Sequence, residues 1–136
     1  MELVTGLLND GTLAAAQLHG QEDETYIREL KQLSDKPIIK AFSVKTAEDI
    51  EKAVQSPADY ILLDQGSGGT GKTFDWSLIP EIERPFFLAG GIGALNMKQA
   101  IYEIRPYAVD LSSSVETEKW KDPKKIRQVV DIVRRI

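Results

Sequence analysis

The chain is 136 residues long, carries 17 Lys and Arg against 21 Asp and Glu for a formal net charge of -4, and contains no cysteine. A length of this order suits one domain with a sizeable core. The acidic balance gives no pull toward nucleic acid or an anionic membrane, and the missing cysteines exclude disulfides, thiolate metal sites and a cysteine nucleophile or base within these residues.

No apolar run approaches the roughly 18 residues of a spanning helix. The start MELVTGLLND lacks the basic opening and long apolar stretch of a signal peptide, so the expected location is cytoplasmic.

In chain order, Leu3, Val4, Leu7 and Leu8 fall on one side of a predicted helix that Asn9, Asp10 and Gly11 stop. No strand precedes it, so the chain reads as beginning mid-fold. LAAAQL (13–18) follows as a first buried strand, then a helix with Tyr26, Ile27, Leu30 and Leu33 on one face. PIIKAF (37–42) is the second strand. Thr46 opens the next helix, with Asp49 completing a capping-box pair and Ala47, Ile50, Ala53 and Val54 sharing a face. DYILL (59–63) and PFFLA (85–89) are the third and fourth strands. Asn96 is the expected cap of a helix burying Met97, Ala100, Ile101 and Ile104, and YAVDL (107–111) is the fifth strand. The closing DPKKIRQVVDIVRRI has Asp122 as N-cap, Pro123 in the first turn, and a stripe of Ile126, Val129, Val130, Val133 and Ile136.

Short apolar runs alternating with amphipathic helices predict an α/β fold of five parallel βα units, forming a single domain over residues 1–136. Two architectures fit this pattern. One is the trailing part of a (βα)8 barrel whose three N-terminal βα units are absent, and the other is a flavodoxin-like open sheet.

The run GSGGTGKT within residues 60–76 matches the phosphate-loop pattern G-x-x-x-x-G-K-[ST] at every fixed position. That motif works only when a helix begins at its Lys-Thr pair, so that free amides hold the phosphates. Here FDWSLIPEIERP follows, with Asp75 placed to cap a fresh short helix that Pro80 limits. Asp64 also precedes the glycines, where its carboxylate would repel a nucleotide's phosphates unless a metal intervened. A P-loop nucleotide-binding domain is therefore an alternative with its context missing.

QLHG (17–20), LLDQGSGGTGKTFDW (62–76), LAGGI (88–92) and VDLSSSVE (109–116) together resemble phosphoribosylanthranilate isomerase, a (βα)8-barrel family of tryptophan biosynthesis. Their order and spacing are similar to strands four to eight of that barrel. The resemblance implies an Amadori rearrangement of N-(5'-phosphoribosyl)anthranilate, a phosphosugar, without metal or cofactor. It implies that Asp64 is the general acid, and that Gly90 and Gly91 with Ser112, Ser113 and Ser114 bind the substrate phosphate. His19 and Asp110 are possible substrate contacts, each with a structural hydrogen-bonding role as the alternative. Gly68, Gly69 and Gly71 would form a cover over the substrate, with Lys72 near its anionic groups or simply solvated. Phe74 and Trp76 are expected to pack and anchor that loop. Where Ser114 stands the family commonly has glycine, so a left-handed backbone there would be disfavoured.

The resemblance further implies a cysteine base in a Lys-x-Cys-Gly segment and an arginine for the anthranilate carboxylate, and this sequence contains neither segment. The isolated chain is accordingly expected to be inactive or nearly so. Loss of neighbouring strands leaves sheet edges open, which predicts a homodimer through those edges. A non-catalytic dimerising module of half-barrel type is the alternative.

Overall fold

The computed structural model describes residues 1–66 and 73–136. Helix α1 (Glu2–Asn9) leads into β1 (Ala16–Leu18), α2 (Glu24–Leu33), β2 (Ile38–Ser43), α3 (Ala47–Val54) and β3 (Tyr60–Asp64). A 3-10 turn (Trp76–Leu78) precedes β4 (Phe86–Leu88). Helix α4 (Met97–Gln99) runs on as a π-helix (Ala100–Ile104) into β5 (Ala108–Val109). A second 3-10 turn (Ser113–Val115), a small antiparallel pair β6 (Glu116–Thr117) and β7 (Trp120–Lys121), and helix α5 (Pro123–Arg134) complete the chain.

The five main strands are parallel and lie in the order β1-β2-β3-β4-β5. Each βα unit therefore steps the same way round. A flavodoxin-like sheet needs a reversal of strand order, so that alternative is not adopted and the barrel-segment architecture is. The two outer strands are shorter than their apolar runs, as is β4.

Alternation along the strands separates two faces. Ile38, Ile61, Leu63, Phe86 and Leu88 turn toward the helices, where Ile27, Leu30, Ile50, Ala53, Met97 and Ala100 meet them in two buried clusters. Local signals explain the helix starts. The Asp23 carboxylate accepts from Tyr26 N–H at 2.8 Å, Thr46 and Asp49 form the predicted capping box, and Asp122 accepts from Lys124 N–H at 2.8 Å. The π-turn closes with Arg105 N–H on the Ala100 carbonyl and Arg105 in the left-handed region, where Pro106 stops any continuation.

Several faces differ from expectation. Leu3 and Leu33 are exposed, and along α5 only Val129 is buried, whereas Val130, Val133 and, just past the helix, Ile136 are each about two fifths exposed. Both terminal helices sit at the ends of a one-directional array, so each has a packing neighbour on one flank alone. Asn96 precedes α4 but makes no side-chain cap bond to it. Its amide is used instead by the preceding loop.

Arg84 ties the N-terminal side of the sheet together. Its guanidinium donates to the carbonyls of Val54 at 2.9 Å and Ser56 at 2.7 Å, and to that of Ala58, covering the end of α3 and the turn into β3. Arg84→Met would leave these acceptors without their charged donor. The expected result is a loss of about 2 kcal/mol in unfolding free energy, read from a denaturant midpoint at unchanged slope.

Candidate active site

The C-terminal ends of the strands form one rim, and pairing register decides which side chains reach it. Ser43 pairs with Asp64 across β2 and β3, and Leu62 with Phe87 across β3 and β4. Paired residues share a face, so Ser43 and Asp64 lie on the concave side, opposite the helix-facing Leu63. The same alternation carries His19 on from Gln17 and Asp110 on from Ala108.

Backbone bonds continue beyond the strand ends. Val44 N–H donates to the Asp64 carbonyl at 2.8 Å, Ala89 N–H to Leu63 at 2.8 Å, and Asp110 N–H to Leu88 at 2.9 Å. Asp64, Ala89 and Asp110 thus stand side by side across three adjacent strands, with Gly90 one residue beyond Ala89.

The glycine loop after β4 lies directly against the half-buried acid. Gly90 and Gly91 have φ of 81° and 69°, a region costly for residues with a Cβ. A Cβ on Gly90 would stand 2.5 Å from Asp64 Oδ1 and 2.8 Å from the Gln65 nitrogen. One on Gly93 would come within 3.0 Å of Ser114 Cβ, which brings this loop against the serine run after β5. Asn96 holds the loop in shape: its Oδ1 accepts from Gly93 N–H at 2.9 Å and its Nδ2 donates to the Gly91 carbonyl at 3.1 Å.

In the serine run, Ser114 sits in a 3-10 turn and is not in the left-handed region, so serine there is compatible with the loop. The Ser114 hydroxyl is buried without a hydrogen-bond partner among the described residues. Ser112 is exposed, and its carbonyl accepts from Lys121 Nζ at 3.2 Å.

Asp64, Gly90, Gly91 and Ser114 are therefore brought together, with Ser112, Ser113 and Asp110 on the adjoining strand end. His19 is exposed at the far end of the rim, just after β1. The expected contacts of Gly68, Gly69 and Lys72 lie outside the described residues. Phe74 is buried in the main core and Trp76 packs against it, as anticipated.

Four residues escaped sequence reasoning. Ser43 and Gly66 meet so closely that a Cβ on Gly66 would overlap Ser43 Oγ at 1.8 Å. The glycine right after the strand-end Asp-Gln pair was the available signal. Asn96 carried a helix-cap signal, whereas its side chain bonds the preceding loop. Lys40, inside an apolar strand, was the fourth.

Lys40 is buried and pairs with Glu22 at 2.9 Å. The hydrogen bond from Lys40, followed by those from the backbone N–H groups of Glu22 and Gly20, holds the Glu22 carboxyl below its ordinary value of 4.5. A depressed folded-state value means stabilisation that is full above the ordinary value and lost as pH falls through the folded one. Denaturant midpoints are thus expected to fall as pH drops below 4.5, with Glu22→Gln flattening part of that fall.

Residues 1–132 match the family described as N-(5'-phosphoribosyl)anthranilate (PRA) isomerase. An N-(5'-phosphoribosyl)anthranilate isomerase of Endomicrobium trichonymphae is 45% identical over 135 residues, covering 96% of this chain and 66% of the relative. One of Streptococcus gordonii is 42% identical, over 90% of this chain and 60% of its own length. The chain thus spans slightly less than two thirds of these relatives.

Among solved structures, the phosphoribosyl anthranilate isomerase of Thermotoga maritima superposes with a TM-score of 0.85 at 35% identity, over 99% of this chain and 68% of that one. Another such isomerase, in complex with reduced 1-(o-carboxyphenylamino)-1-deoxyribulose 5-phosphate, superposes with a TM-score of 0.82 at 33% identity, over 99% of this chain and 66% of that one. No helix among the described residues is long and apolar enough to cross a membrane. A rim with the acid, the paired glycines and the serine run in strand order, and a family match over nearly all 136 residues, lead to one assignment: the chain belongs to the N-(5'-phosphoribosyl)anthranilate isomerase family.

Proposed function

We propose that these residues form one partial-barrel domain, strands four to eight of the isomerase barrel, and carry the acid and phosphate-binding part of its site. The substrate class is a phosphosugar joined to an aromatic amine. Asp64 in its acid form protonates the ribose ring oxygen, the ring C–O bond breaks, and the nitrogen lone pair forms the Schiff base. A base then takes the proton from C2, giving an enolamine that tautomerises to the aminoketose. Gly90 and Gly91, with Ser112, Ser113 and Ser114, hold the phosphate, and His19 and Asp110 border the sugar.

The observation that carries this reading is the contact of the Gly90 loop with both the Asp64 carboxylate and, through Gly93, Ser114. Acid and phosphate loops then serve a single ligand. The base belongs to the cysteine that the family resemblance implies, and no cysteine exists in these residues. Chemistry by the isolated chain is therefore incomplete.

Calorimetric titration tests the reading. The reduced carboxyphenylamino-deoxyribulose 5-phosphate is expected to bind saturably and ATP not at all. ATP binding that disappears in Lys72→Ala, or no binding of the phosphosugar analogue, contradicts it.

The outer edges of β1 and β5 have no sheet partner among the described residues, and edge pairing between two copies is the proposed way to satisfy them. Light scattering is expected to report a dimer. A strict monomer, with amides on both edges protected from exchange, sinks the pairing.

A further inference from the structure

Lys40 lies in the middle of β2 in an otherwise apolar run, with its side chain only 7% exposed. It pairs in register with Leu18, whose side chain belongs to the helix-side core, so the Lys40 side chain also leaves the sheet toward the helices. It does not face the concave rim and is no substrate ligand.

Its ammonium donates to the Gly20 carbonyl and to Glu22 Oε2, both at 2.9 Å. The same Glu22 oxygen accepts from Gly20 N–H at 2.8 Å. Gly20 is thus gripped at both its N–H and its C=O by one ion pair. A Cβ on Gly20 would come within 3.1 Å of the Glu22 carboxylate, so the loop is closely fitted around this clamp. Asp23 then caps α2, which fixes the next residues along.

His19 sits between two residues that Lys40 holds, Leu18 through strand pairing and Gly20 through the ammonium. Burying an ion pair carries a desolvation penalty that an apolar residue of similar length would avoid. Methionine would fill the space. What lysine adds is the fixed path of the backbone through His19 and Gly20.

We propose that Lys40 is a positioning residue: through Glu22 and the Gly20 peptide it sets the orientation of His19 at the rim. Its functional meaning rests on the reading of that rim as a phosphosugar site.

His19 is the chain's only histidine, which makes its imidazole a single clean reporter. Imidazole NMR spectra of the 136-residue chain, Lys40→Met and Lys40→Arg are compared, with thermal unfolding followed in parallel. The His19 ring resonances are expected to shift in Lys40→Met at retained secondary structure, and to return toward the parent's in Lys40→Arg. Should Lys40→Met fail to fold, the double variant Lys40→Met/Glu22→Gln, which removes both charges, is read in its place. His19 resonances unchanged in the folded Met-containing variant overturn the proposal.

Adding the reduced carboxyphenylamino-deoxyribulose 5-phosphate to the parent separates the two readings. A missing ligand-induced change at His19 counts against the phosphosugar role of this rim residue, while the comparison of variants without ligand still decides the positioning.

Discussion

Purified as the 136-residue chain, the protein is expected to turn over N-(5'-phosphoribosyl)anthranilate at least about a hundredfold, and up to about ten-thousandfold, more slowly than a relative carrying the cysteine base. Asp64, the proposed acid for ring opening, stands at the end of β3 with the glycine loop against it. Removal of the C2 proton has no corresponding thiolate, because the chain contains no cysteine. General acid and general base steps each contribute roughly a hundredfold or more, and an enzyme with only one keeps binding and loses turnover. Steady-state product formation measures this directly. Turnover matching the relatives' would mean that another group in these residues accepts the proton.

The second large effect concerns Gly90. Its φ of 81° is disfavoured for any residue with a Cβ, and the added carbon would stand 2.5 Å from Asp64 Oδ1. Gly90→Ala is therefore expected to destabilise the fold by about 1–2 kcal/mol from the backbone alone. It should also displace the Asp64 carboxylate or the loop, and weaken the phosphosugar analogue about tenfold or more, a change of about 1.4 kcal/mol in binding. Gly6→Ala is the natural control. A Cβ there meets nothing within 4 Å in α1, so that variant should gain about 0.5–1 kcal/mol with analogue affinity unchanged. Equal analogue affinity in the parent and Gly90→Ala would remove Gly90 from the site.

Much of this architecture was written in local chemistry. The Thr46 and Asp49 box, the Asp23 and Asp122 caps and the apolar runs of β2 and β3 act through neighbours a few residues away, and each appears where its pattern stood. The exposed flanks of α1 and α5 were not legible. A 3.6-residue stripe says which face is apolar, whereas burial depends on whether another element lies beside it.

The site divides in the same way. Asp64 and the paired glycines carried a motif, and strand order brings them together. Lys40 carried none, because a lysine in an apolar strand reads as an interruption until its partner, 18 positions earlier at Glu22, is known. Ser43 and Gly66 are 23 positions apart in the chain and meet only through the register of β2 with β3. The GSGGTGKT run shows the opposite error a motif can induce. All its fixed residues are present, but residues 76–78 form a separate 3-10 turn capped by Asp75 after buried Phe74, rather than a long helix at a phosphate's edge.

The most direct test of the proposed site is to map backbone amide shifts on adding the reduced carboxyphenylamino-deoxyribulose 5-phosphate to the labelled chain. The largest changes are expected on Gly90, Gly91, Ser112, Ser113 and Ser114, with Asp64 among them, while the helix-side residues stay still. Changes confined elsewhere, or none at saturating ligand, would contradict the assignment of this rim as the phosphosugar site.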